Sequence, residues 1–77
     1  MFLLKESMMS ATVAKITEIS ASSGKSFEHA VEKGIKRASK TLKNVSGAWV
    51  KEMKVDVENG EVVRWRVTMK VTFVLED

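Results

Sequence analysis

Charged side chains alternate with apolar ones over the last third of the chain, where Glu52, Lys54, Asp56, Arg64 and Arg66 fall at even positions. Arg64 and Arg66 offer the clearest chemistry. Two guanidinium groups two residues apart on an extended segment share a face, and such a pair holds an anion such as the phosphate of a nucleotide cofactor. Glu52 and Asp56 belong to the preceding segment, and an ion pair across a hairpin is the plainer use of the same charges. The sequence carries no Ser-His-Asp set, no G-x-G-x-x-G and no Walker loop. Its one histidine, His29, falls off the apolar stripe of its segment, which predicts an exposed residue without a partner for general-base or metal work. Cysteine is absent, so no thiolate site exists and a closed structural zinc site lacks its ligands. The acidic residues do not follow EF-hand spacing. A binding protein fits these residues better than an enzyme.

The element that carries the two arginines is the most distinctive in the chain. From Val63 to Asp77 the sequence reads VRWRVTMKVTFVLED, with Val63, Trp65, Val67, Met69, Val71, Phe73 and Leu75 on one parity. This is one strand with one apolar face, about 40–50 Å long at roughly 3.3 Å per residue. Trp65 sits in the apolar row and is expected in the core. A chain this short cannot cover such a strand by itself, which points to an oligomer.

Upstream, Thr12 to Ser20 alternates with β-branched residues and predicts a first strand. The stretch Ala21-Ser22-Ser23-Gly24 ends it, with Ser23 the expected N-cap of a helix. From Lys25 to Lys43, Phe27, Val31, Ile35, Ala38 and Leu42 recur at steps of three and four, an amphipathic helix. Glu28 and Glu32 lie early in it and Lys36, Arg37, Lys40 and Lys43 late, which complements the helix macrodipole; Glu32 and Lys36 have the spacing of an i,i+4 pair. The helix offers no aromatic row for stacking bases, and nucleic acid is not an expected partner.

Asn44 to Gly47 ends the helix, and a second strand runs from about Ala48 to Val57. Asn59-Gly60 marks the turn. A two-residue turn pairs Val57 with Val62 and sets apolar against polar positions, whereas an odd loop over Asn59 to Glu61 pairs Val57 with Val63, Val55 with Trp65 and Met53 with Val67. The odd loop is expected. Alternation also stumbles at Val50 and Lys51, where a bulge is expected. The sum is an α+β fold of order β-α-β-β, a three-stranded antiparallel sheet wrapped around one helix.

With 77 residues the chain makes one domain, and at this size stability is marginal without disulfides, metal or association. Residues 10–77 are expected to form it, with 1–9 as an N-terminal extension. The start MFLLKESMMS has too few consecutive apolar residues for a signal peptide or membrane span, so a cytoplasmic protein with no membrane partner is expected.

Order and local motifs together resemble the dodecin family, small cytoplasmic proteins that assemble into hollow homododecamers and in their best-known members store flavins. The matching residues are Glu18, Ser23, Ala30, Arg37, Ala38, Thr41, Gly60 and the closing VTMKVTFVLED from Val67 to Asp77. The resemblance implies a binding or storage protein with riboflavin or FMN as the default ligand. It also implies a tryptophan at the start of the second strand, to stack on the isoalloxazine, and a glutamine on the third. Those positions fall here on Gly47 and Arg66, and both depart from the family. Gly47 has no ring, and Arg66 donates hydrogen bonds without accepting any. Trp49 lies two residues beyond the stacking position. A tryptophan on a half-buried strand usually packs in a core or interface, while a bulge near Val50 would instead bring Trp49 toward the ligand. Gly47, Trp49, Glu52, Arg64 and Arg66 are thus the candidate ligand-binding residues. Coenzyme A, another anion, a metal ion or a purely structural role is the alternative that the resemblance allows.

Overall fold

A computed structural model describes residues 12–76; the expected extension over residues 1–9 lies outside the described residues. The elements are β1 (Ala14–Ser23), α1 (Phe27–Thr41), β2 (Val45–Glu58) and β3 (Glu61–Val74). All pairings are antiparallel and the strand order is β1-β3-β2, so the long third strand lies in the middle. This is the expected β-α-β-β arrangement.

The start of α1 differs from the sequence expectation. β1 continues to Ser23, which pairs with Trp65, and the N-cap is Ser26, whose Oγ accepts from the His29 N–H at 3.0 Å. Ser23 is buried instead. Its Oγ accepts from the Lys25 N–H at 2.8 Å and is hydrogen-bonded to His29 Nδ1 at 2.6 Å. His29 is therefore half-buried and partnered, contrary to the exposed residue expected. The physical reason is tertiary: the strand end folds back over the first helical turn, a closure that helix periodicity does not report.

Helix α1 rests on the sheet through small residues. Ala30, Gly34 and Ala38, spaced four apart, are its buried line. A Cβ on Gly34 would meet Met69 Cε at 2.7 Å and Ala21 Cβ at 3.1 Å, so this glycine sets the close approach. Opposite lie Val67, Met69 and Val71 of β3, each no more than 1% exposed. Burying side chains of this size stabilises by about 1.5–3 kcal/mol each. Phe27, Val31, Ile35 and Leu42, expected at the centre of the helix stripe, flank this line as partly buried residues. Among the described residues the ion pairs are Lys51–Glu18 and Arg66–Asp56, and the Glu32–Lys36 pair expected from spacing is not formed.

The hairpin corrects one expectation and meets two. Asn59 (φ 52°) and Gly60 (φ +79°) form a two-residue turn flanked by Glu58 and Glu61, not an odd loop. Asn and Gly tolerate the positive φ that such a tight turn requires at both positions. The surplus residue is absorbed one pair later, where the register shifts between Asp56–Arg64 and Val57–Val62 and leaves Val63 unpaired. Beyond that bulge Val55 pairs with Trp65 and Met53 with Val67, as expected, and a second shift between Val50 and Glu52 leaves Lys51 out of the ladder.

Only half of this hairpin is covered. The described chain measures 60 × 22 × 15 Å with a radius of gyration of 16.6 Å, against about 11 Å for a compact domain of this size. Met53, Val55, Val57, Val62 and Val63 are all at least 36% exposed. Trp65, expected in the core, is half-buried and is not part of the cluster packed under the helix.

Candidate functional site

The sheet face turned away from α1 collects the candidate residues. Side chains of paired antiparallel residues share a face, and Val67, Met69 and Val71 face the helix, so the even residues of β3 define the outer face. Gly47 pairs with Thr72, Trp49 with Lys70, Glu52 with Thr68, and Lys54 with Arg66, while Asp56 pairs with Arg64. All five candidates thus lie on the outer face, spread over its length. Along β3, Lys70, the partner of Trp49, and Arg66 are four residues apart, about 13 Å.

Two centres result. In the first, Trp49, Lys70 and Glu18 form a row across β2, β3 and β1. Lys70 Nζ stands 5.5 Å from the Trp49 ring centroid, within the range of a cation–π contact, and the bulged Lys51 reaches across to Glu18 Oε2 at 3.5 Å. Trp49 is 66% exposed. The core placement expected of a strand tryptophan does not hold within the chain: Trp49 lies before the Lys51 bulge on the parity of Gly47, which is outward. A flat, exposed aromatic next to the Lys70 ammonium group can stack a planar ring and hold a negative charge beside it.

The second centre is an ion pair near the hairpin end. Arg66 Nε donates to Asp56 Oδ2 at 2.9 Å and Oδ1 at 3.2 Å, and Arg66 Nη2 lies 2.9 Å from Oδ2. This is the inter-strand pair that the charges of the hairpin predict. The hydrogen bond from Arg66 holds the Asp56 carboxyl below its ordinary value of 3.8, helped by the charges of Arg66, Lys54 and Arg64, and the same bond raises Arg66. Much of the donor capacity of Arg66 is committed to Asp56.

The outer face fits a flavin in part. Trp49 presents an aromatic surface, whereas Gly47 presents none and has open space around its Cα. For a metal ion, no group of three His, Asp or Glu side chains converges among the described residues. No helix among the described residues is long and apolar enough to cross a membrane. Sequence reasoning missed the row of Trp49, Lys70 and Glu18 and the Lys51–Glu18 pair, because their meeting depends on the strand order β1-β3-β2.

The fold and its local sequence agree with known proteins. A dodecin from Streptomyces davaonensis superposes with a TM-score of 0.83 at 35% identity, over 88% of this chain and 100% of that one. A dodecin from Streptomyces coelicolor gives 0.83 at 32% identity, over 90% and 99%. A calcium-chelating antigen, the calcium dodecin of Mycobacterium tuberculosis, gives 0.72 at 26% identity, over 83% and 91%. None of the curated proteins compared with the chain matches it. The dodecin family model matches residues 13–76, and the chain belongs to the dodecin family.

Proposed function

We propose that residues 10–77 assemble as a hollow homododecamer that binds and buffers a flavin, riboflavin or FMN, in the cytoplasm without catalysing a reaction on it. The observation that carries the ligand is Trp49: a tryptophan 66% exposed on an open sheet face, beside Lys70. Stacking on one aromatic face contributes about 1–3 kcal/mol if base–aromatic contacts are a guide. Trp49 takes the stacking role in place of Gly47, Glu52 borders it, and Arg64 supplies positive charge toward the hairpin end, with Arg66 largely held by Asp56. Assembly is supported by the uncovered apolar row from Met53 to Trp65, which is too extensive for a monomer in water.

A second reading has its own support. The bare Gly47 and the engaged Arg66 are what a dodecin that has lost flavin would show, one holding another anion such as coenzyme A, a metal ion, or serving as structure alone. Titration of the purified protein into riboflavin and FMN, followed by flavin fluorescence at two salt concentrations with Trp49→Ala alongside, separates the two. Strong quenching that disappears in the variant is the expected result. Absence of quenching at micromolar protein rejects the flavin reading and turns attention to anions.

A further inference from the structure

A second surface, on the opposite side of the sheet from Trp49, has no part in this reading. Between α1 and β1 runs an open groove of roughly 890 Å³, lined by Lys33, Lys36, Arg37 and Lys40 on the helix, with Thr17, which pairs with the helix-facing Val71, opposite. That volume is in the range of small-molecule sites. No acidic residue lines it, and among the described residues none of the four cations has a carboxylate within 4 Å. The helix ends at Thr41, so of the late bases expected to complement its dipole only Lys40 stands in the last turn, and a dipole whose influence falls off within that turn does not explain Lys33 or Lys36. The whole chain has a formal net charge of +3, so the four cations of the groove exceed the entire excess. β1 is an edge strand, so its outward backbone N–H and C=O groups alternate along that side of the sheet.

The spacing defines the ligand. Residues 33, 36, 37 and 40 share one helix face, and Lys33 and Lys40 are about 10 Å apart along the axis. A single phosphate cannot meet both ends, whereas a linear chain of phosphates can. Gly34 and Ala38 lie in the groove lining beside the aliphatic Ile19 and Leu42, and no aromatic residue lines it to stack a base. We propose that this groove binds a linear oligophosphate, three or more condensed phosphates, either free or as the tail of a nucleoside triphosphate. The proposal does not depend on flavin binding at Trp49.

Isothermal titration of the assembled wild-type protein with sodium tripolyphosphate, ATP and orthophosphate at two ionic strengths tests it. The expected result is one tripolyphosphate per chain, ATP within a few-fold of it, orthophosphate far weaker, and affinity falling as salt rises. Lys36→Gln with Arg37→Gln lowers affinity roughly tenfold or more while sedimentation and flavin quenching stay as in wild type. Lys51→Gln with Lys70→Gln, on the other face, leaves tripolyphosphate binding unchanged. Should the double variant fail to assemble, Lys33→Gln and Lys40→Gln singly are expected to weaken binding in the same direction. No heat from tripolyphosphate, binding of ATP alone, tighter binding of oligothymidylate, or loss in the Lys51 and Lys70 variant overturns the proposal.

Discussion

The two halves of β3 carry the same alternation and meet opposite fates. At one end Val67, Met69 and Val71 lie under α1 and are 0–1% exposed. At the other, Val63 stands 40% exposed, and Val57 and Val55 of the facing strand are 57% and 36% exposed. Alternation states which face of a strand is apolar, and the cover decides whether that face is buried. The fifteen residues of α1 span about 22 Å, shorter than the fourteen-residue strands beneath. The rest of the apolar row has no cover from α1.

The largest effect is expected in the covered half. Met69→Ala opens a cavity under Gly34 and is expected to cost about 2–5 kcal/mol, read by urea unfolding followed through helix circular dichroism; a loss under 1 kcal/mol would show that α1 does not pack as described. In the uncovered half, Val55→Glu is expected to dissociate the assembly while helix circular dichroism is retained, and an unchanged elution volume would mean that this row contacts nothing. Ser26→Ala removes the cap bond to the His29 N–H and is expected to cost about 1 kcal/mol, whereas Ser23→Ala acts through the buried contact with His29 Nδ1. The smallest effect lies at the hairpin end. Because the carboxyl of Asp56 is lowered in the folded chain, its contribution is full above pH 3.8 and declines as pH falls from there through the folded value. A slight loss of stability in that window, absent in Asp56→Asn, is expected from acid unfolding curves.

Much of this was readable from the residues. The β-α-β-β order follows from one period-two segment, one stripe at steps of three and four, and an Asn-Gly turn between two more period-two segments. The Lys51 bulge was visible because the alternation breaks there. The turn differs from the sequence expectation for a definite reason: parity shows that one surplus residue lies between Val57 and Trp65, but a three-residue loop and a tight turn followed by a bulge at Val63 satisfy parity equally. Ser23 and Ser26 compete as caps within five residues, and only the fold-back that buries Ser23 against His29 decides between them. The outward face of Trp49 needed the strand order, which local pattern does not contain.

Sedimentation of the wild-type protein across a range of concentrations tests most directly the claim that the uncovered half of the hairpin is completed by other copies. A single species of twelve chains, each of 8.6 kDa, that persists on dilution is the result expected. A folded species of one chain, stable with Met53, Val55 and Trp65 in water, would contradict it.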